Sequence, residues 1–171
     1  MNKYFVILAS GTGKRFKSNI PKQYSYIYGK SILQYSIDKA LESNIFKKII
    51  VVIKKSHKKY LRFLDKDKIT IIHGGKSRQE SSFLALKYLN KYKPTYVLIH
   101  DAARPFFSTK ILRKINDALV KNYAVVPVTK IDSSLKIKHQ KKFINFKREN
   151  ALITQTPQGF KFKTIFDLFK K

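Results

Sequence analysis

Four polar clusters, each set directly behind an apolar run, hold the residue types able to do chemistry in this chain. The first reads Ser10, Gly11, Thr12, Gly13, Lys14, Arg15, and is followed by Pro21, Lys22 and Gln23. Glycines let a backbone approach a phosphate and turn its N–H groups onto it, while Lys14, Arg15 and Lys22 supply countercharge. The dinucleotide fingerprint is excluded because Phe16 stands where its third glycine belongs. The P-loop is excluded because Gly11 and Gly13 are too close together and no Gly-Lys-Ser/Thr follows. A Gly-x-Gly behind a strand is also an ordinary turn; the paired cations and the lysine beside a proline favour the phosphate reading.

The second cluster runs from Gly74 and Gly75 through Lys76, Ser77 and Arg78 to Ser81. Its glycines precede a helix whose first turn carries Ser77 and Ser81, which reads either as an anion-binding helix start or as a serine cap. The third is His100, Asp101, Ala102, Ala103, Arg104, Pro105. An aspartate closing a buried strand suits Mg²⁺, which takes one or two carboxylates together with substrate phosphates. Asp101 also reads as a loop cap paired with Arg104, and His100 as a structural residue. The fourth group comprises Pro127 and Val128, Asp132 to Lys136, Arg148 to Asn150, and Gln155 to Gln158. It offers hydroxyls and cations for a second phosphorylated ligand, although each piece alone reads as loop.

No Ser/His/Asp triad, paired-carboxylate set or zinc spacing is present in the sequence. Cysteine is absent, which excludes disulfides, thiolate metal sites and cysteine nucleophiles. Such an inventory fits transfer of a phosphoryl-type group by positioning and charge neutralisation, with no covalent intermediate.

The elements that must position these clusters alternate. Tyr4–Ala9, Ile49–Ile53, Ile69–Ile72, Tyr96–His100 and Ala124–Val128 read as strands. Helical stripes fall at Ile32, Leu33, Ser36, Ile37, Ala40 and Leu41, and at Ile111, Leu112, Ile115, Ala118 and Leu119. Helix is also expected around His57–Leu64, over Gln79–Asn90 and over Phe160–Phe169. This rhythm predicts an α/β fold, a mostly parallel sheet with helices on both faces. Ligands then gather outside the carboxyl ends of the strands, where the four clusters fall. Residues 134–148 break the rhythm and read as a protruding arm, with Lys142–Phe146 alternating like a half-exposed strand. We find no repeat or linker, so the reading is one domain over residues 1–171.

Composition limits the partners. The 171 residues carry 37 Lys and Arg against 10 Asp and Glu, a net charge of +27. That balance points to polyanions. Only six of the 37 are arginine, the residue that nucleic-acid readers favour, and the lysines are dispersed. With Ile, Asn, Phe and Tyr abundant as well, the excess reads as AT-rich codon usage. No apolar run approaches the roughly 18 residues of a membrane span. The run after Lys3 is shorter than the roughly 7–15 residues of a signal peptide. The expectation is a cytoplasmic protein with no membrane or specific nucleic-acid partner.

The segments Ile7 to Arg15, Pro21 to Tyr24, Gly74-Gly75-x-x-Arg78-x-x-Ser81, His100 to Pro105 and Thr156 to Phe160 together resemble the 2-C-methyl-D-erythritol 4-phosphate cytidylyltransferases of the non-mevalonate isoprenoid pathway. The resemblance implies a Rossmann-like, GT-A-like nucleotidyltransferase fold and transfer of a cytidylyl group from CTP to the polyol phosphate, releasing pyrophosphate, with Mg²⁺. Carried over by position, Arg15 and Lys22 are catalytic. Ala9, Ser10, Gly11, Gly13, Lys14, Gly75 and Ser81 hold CTP. Arg104, Ser134, Arg148 and Thr156 hold the acceptor, and Asp101 holds the metal. The arm at 134–148 is expected to swap across a homodimer, so that Arg148 serves the partner's site. Where the family reads Pro-Val-x-Asp-Thr-x-Lys, this chain has extra residues between Val128 and Lys136, and Ser134 is the hydroxyl we match, anchored by Lys136. Family members continue past the Thr-Pro-Gln segment, so a chain ending at Lys171 is shorter than the pattern implies. The alternatives are the sister ribitol-5-phosphate cytidylyltransferases and a basic nucleotide- or nucleic-acid-binding protein of this fold that has lost catalysis.

Overall fold

The computed structural model describes residues 1–13, 18–61 and 67–170. Its centre is β1 (Lys3–Ala9), whose Tyr-Phe-Val-Ile-Leu-Ala run is apolar at every position and so must be covered on both faces. A short hairpin of β2 (Tyr26–Ile27) and β3 (Lys30–Ser31) leads into α1 (Ile32–Glu42), β4 (Lys48–Ile53) and β5 (Ile69–His73). Helix α2 (Arg78–Leu89), β6 (Tyr96–Asp101) and α3 (Thr109–Lys121) follow. The chain then builds β7 (Ala124–Val125), β8 (Val128–Lys130), β9 (Leu135–His139), β10 (Lys142–Phe146), β11 (Leu152–Thr154), β12 (Gln158–Lys161) and α4 (Phe162–Leu168).

The main sheet has the order β5-β4-β1-β6-β12-β7. The first four strands are parallel, with Ile7 opposite Val51 on one side and His100 on the other. Strand β12 runs antiparallel to both β6 and β7. Alternate residues of the strands supply two cores. Phe5, Ile7, Val51 and Leu98 pack with Leu33 and Ile37 of α1 and Leu112, Ile115 and Leu119 of α3. Tyr4, Val6, Ile50, Val52, Val97 and Ile99 pack with Leu86 and Leu89 of α2 and Phe162 and Phe166 of α4. Each such side chain, once buried, contributes roughly 1.5–3 kcal/mol, which is what holds the layers together. The helices start where the sequence provides serine caps. Ser31, Ser77 and Ser108 accept from the backbone N–H groups of Gln34, Glu80 and Ile111.

The structure departs from the sequence reading in four places. The strand expected over Ala124–Val128 is two strands, because Pro127 has no N–H to continue a ladder. Beyond it, β8 leaves the sheet and pairs with β11, and the Pro127 carbonyl accepts from the N–H of Gln155. The last helix begins at Phe162, not Phe160, since Phe160 and Lys161 complete β12 opposite Val97 and Tyr96. The helix expected around His57–Leu64 is a 3-10 helix over Lys55–Tyr60, and residues 62–64 lie outside the described set. The expected half-exposed strand of the arm is one half of an antiparallel ribbon, β9–β10, exposed along nearly its whole length. Among the described residues no helix is long and apolar enough to cross a membrane.

Candidate active site

The carboxyl ends of β1, β4, β5 and β6 share one edge of the sheet, and a cavity of about 860 Å³ opens there. Ser10, Gly11 and Thr12 follow β1, Lys54 and Lys55 follow β4, Gly74 and Gly75 follow β5, and Asp101 ends β6. The loop after β1 is fixed from outside by the 3-10 helix Lys22–Tyr24. Gln23, itself buried, donates from Nε2 to the carbonyls of Ala9 (2.8 Å) and Gly11 (2.7 Å). The Tyr24 hydroxyl donates to the same Ala9 carbonyl at 3.1 Å, and burial pushes its pKa further above the ordinary phenol value. The carbonyls of Ala9 and Gly11 are thereby held by Gln23 and Tyr24. Gly13 has φ +65°, and a Cβ there would come within 3.3 Å of the Lys22 nitrogen, so glycine is required where the loop meets the Pro21–Lys22 turn. Lys14 and Arg15 lie outside the described residues.

The opposite wall is the start of α2. Ser81 is fully buried; its hydroxyl lies 3.0 Å from that of Ser10 and accepts from the Gly75 N–H at 3.1 Å. Ser81 thus ties the loop after β5 to the loop after β1. Gly74 allows the close approach, since a Cβ would stand 2.7 Å from the Ser81 hydroxyl and 2.9 Å from Ser10 Cβ. A Cβ on Gly75 would collide with the Glu80 side chain, whose carboxylate accepts from the Lys76 N–H at 2.6 Å. Ser77 and Glu80 therefore both serve the N-terminus of the helix, as in a capping box.

Asp101 stands where this cavity meets the next. Its carboxylate accepts from Arg78 Nε at 2.9 Å and has Arg104 Nε at 3.7 Å. The pairing with Arg104 read from the sequence is present, but Arg78 is the closer cation. Among the described residues there is no group of three or more His, Asp or Glu placed to hold a metal. A single partly exposed carboxylate beside a phosphate-sized loop fits Mg²⁺ only in the mode where phosphate oxygens complete the shell.

The second cavity, about 480 Å³, lies on the other side of Arg104 and is lined by Lys22, Ile27, Phe106, Gln155 and Thr156 among others. Arg104 donates to the Gln155 side-chain oxygen at 2.5 Å. The Thr156 hydroxyl accepts from the Asp101 N–H at 3.3 Å and shares a hydrogen bond with His100 Nδ1 at 3.0 Å. His100 is wholly buried between Phe5 and Phe107, and burial lowers its pKa to about 4, so the ring is neutral at pH 7. It holds Thr156 and is sealed from solvent by the core.

Of the residues chosen from sequence, Ser10, Gly11, Gly75 and Asp101 line the first cavity, while Lys22, Arg104 and Thr156 line the second. Ala9 and Ser81 shape the first cavity from behind, through their hydrogen bonds. Ser134 and Arg148 line neither. Both are exposed on the excursion that carries the ribbon, where Arg148 donates to the Asp132 carbonyl at 2.5 Å and pairs with Glu149. Sequence reasoning gave no role to Arg78, Lys54 or Lys55. The signal for the two lysines was their place directly behind a buried β-branched strand. The signal for Arg78 was its fixed offset from the two glycines.

Residues 4–171 match the family model described as 2-C-methyl-D-erythritol 4-phosphate cytidylyltransferase. The chain is 45% identical over 168 residues to the bifunctional enzyme IspD/IspF of Pelagibacter ubique, covering 98% of this chain and 45% of that protein. It is 31% identical over 170 residues to the 2-C-methyl-D-erythritol 4-phosphate cytidylyltransferase of Thermotoga neapolitana, covering 97% of this chain and 74% of that one. The crystal structure of the Francisella tularensis 2-C-methyl-D-erythritol 4-phosphate cytidylyltransferase superposes with a TM-score of 0.83 at 28% identity, over 99% of this chain and 77% of the other. The chain spans less than half the length of the bifunctional relatives it matches.

Proposed function

The chain belongs to the 2-C-methyl-D-erythritol 4-phosphate cytidylyltransferase family, and on that footing we propose that it transfers the cytidylyl group of CTP to 2-C-methyl-D-erythritol 4-phosphate, yielding the CDP-linked polyol and pyrophosphate for isoprenoid precursor synthesis. The observation that carries this reading is the pair of cavities meeting at Asp101 and Arg104, one behind the glycine loops and one at Lys22 and Thr156. A nucleoside triphosphate fits the larger and a small phosphorylated polyol the smaller.

In this reading an acceptor phosphate oxygen attacks the α-phosphorus of CTP, the new P–O bond forms, and the bond to the β-phosphate oxygen breaks to release pyrophosphate. Gly11, Thr12 and Gly75 present backbone to the triphosphate, with Ser81 holding the two loops in register. Lys22, and Arg15 as the family resemblance implies, neutralise charge that builds on the α-phosphoryl oxygens. Removing such a fixed counterion costs about 10²–10³ in turnover. Arg104 and Thr156 fix the acceptor. Asp101, together with substrate phosphate oxygens, would hold Mg²⁺, which would supply charge neutralisation between the two anionic substrates. Arg78, paired with Asp101 at 2.9 Å, holds that carboxylate in position at the cavity.

A homodimer extends the reading. The ribbon β9–β10 leaves Phe143, Ile144 and Ile137 exposed, which supports its packing against a second subunit, with Ser134 and Arg148 completing that subunit's acceptor site. Substrates of this kind belong to the cytoplasm. Pyrophosphate release from CTP with each of two acceptors tests the assignment. Release with methylerythritol phosphate is expected. Release with ribitol 5-phosphate alone would move the chain to the sister activity. Salt-sensitive RNA or DNA binding that is tighter than CTP binding, without pyrophosphate release, would overturn both.

A further inference from the structure

The smaller of the two cavities is lined by two unlike kinds of residue. Its lining mixes polar and cationic residues, Lys22, Arg104, Gln155 and Thr156, with apolar ones that include Ile27 and Phe106. Phe106 and Phe107 are consecutive and yet have opposite fates. Phe107 is buried in the core against Phe5 and His100, while Phe106 is 86% exposed on the cavity wall. A site for a plain polyol phosphate has no use for that wall, because hydroxyls facing it would lose water without gaining partners. A carbon branch is the group that gains from it.

We propose that Phe106, with Ile27 of the same cavity, is the specificity wall of the acceptor site and reads an aliphatic branch on the polyol. The phosphate of the acceptor lies toward Lys22 and Arg104, its hydroxyls toward Gln155 and Thr156, and the C-methyl group against the Phe106 ring. The inference rests on the cytidylyl-transfer reading and deepens it, since unbranched ribitol and erythritol phosphates present no such group. Apolar pockets separate substrates differing by one carbon by about 10–200-fold, and the same range is expected here.

The test compares kcat/KM for 2-C-methyl-D-erythritol 4-phosphate and its unmethylated counterpart, erythritol 4-phosphate, with CTP and the full chain. The unmodified protein should prefer the methylated acceptor by about tenfold or more. Phe106→Ala should lower that ratio by about fivefold or more, chiefly through KM for the methylated substrate, and Phe106→Leu should restore most of it. An unchanged ratio in Phe106→Ala overturns the proposal. So does an equal loss on both acceptors, or a loss that tracks a shift from dimer to monomer in sedimentation, which would make Phe106 a subunit contact. Turnover of neither acceptor by the unmodified protein would overturn the cytidylyl reading instead. Equilibrium binding of the two polyol phosphates then judges the wall separately, and equal affinities would overturn it.

Discussion

Arg78 Nε donates to Asp101 Oδ1 across 2.9 Å, joining the first turn of α2 to the last residue of β6. The pair lines the first cavity and is partly exposed, with about half of the Arg78 side chain open to solvent. Exposed pairs contribute only about 0–1 kcal/mol to folding, so its value is positional. Asp101→Asn should leave the melting temperature within a few degrees of the parent and raise the Mg²⁺ concentration at which pyrophosphate release is half-maximal. A Mg²⁺ titration with an unchanged midpoint removes Asp101 from the metal shell. Arg78→Ala should raise the Mg²⁺ or CTP requirement less steeply, because the carboxylate itself remains.

Lys22 follows Pro21 and lines the second cavity, while the neighbouring Gln23 holds the glycine loop. Lys22→Ala should cut kcat by about 10²–10³ with CTP affinity less affected, as for removal of a preorganised charge that acts on the transition state. Arg15→Ala is expected to do the same, as the family resemblance implies. Single-turnover rates measured beside CTP binding distinguish this from simple loss of the nucleotide. Equal turnover in both variants and the parent would dismiss the phosphate loop.

Gly11 and Gly74 should respond differently to the same change. A Cβ on Gly11 meets nothing within 4 Å, so Gly11→Ala should fold as the parent does and lose CTP affinity where the methyl stands in the path of a phosphate. A Cβ on Gly74 would lie 2.7 Å from the Ser81 hydroxyl. Gly74→Ala should therefore cost stability as well, by about 1–3 kcal/mol as for other overpacked sites. Thermal melts paired with CTP titrations separate the two effects.

His100 makes stability depend on pH. Burial lowers its pKa to about 4 from an ordinary value near 6.5. Between those values the unfolded chain takes up a proton that the folded chain does not. Stability is full above about pH 6.5 and declines as pH falls toward 4, by roughly 2–3 kcal/mol from this group near the lower end. Denaturant melts at pH 7 and pH 4.5 on the parent and on His100→Gln isolate the contribution. The variant starts from lower stability and should lose less of it on acidification; parallel losses would mean that His100 is protonated in the folded state.

The four strands β1, β4, β5 and β6 were legible because a run such as Ile49 to Ile53 can only be a strand covered on both faces. The clusters behind them were legible because glycine, cation and carboxylate recur at one end of those runs. The ending of the sheet was not. Whether Phe160 is helical or extended depends on Val97, 63 residues away, which pairs with it in the sheet, and no local pattern carries that fact. The break at Pro127 was available from proline's missing N–H, but the departure of β8 toward β11 is again a long-range pairing. Arg78 was visible as a residue and not as a partner, since only the fold brings it 2.9 Å from Asp101. The placement of Ser134 and Arg148 away from both cavities of their own chain likewise follows from where the ribbon leaves the sheet.

Strand β12 runs backwards, with Gln158 opposite Ile99 and Lys161 opposite Tyr96. A parallel strand delivers its downstream end to the ligand edge, whereas a reversed one delivers its upstream end. Thr156 reaches His100 and Asp101 for that reason, ahead of its strand while every other cluster trails one. Had β12 been parallel, the Thr-Pro-Gln segment would sit at the far edge, and regaining the site would take a crossover connection of about a dozen residues or more. One change of direction lets the chain come home to its starting edge by the shortest route and line the second cavity with Gln155 and Thr156.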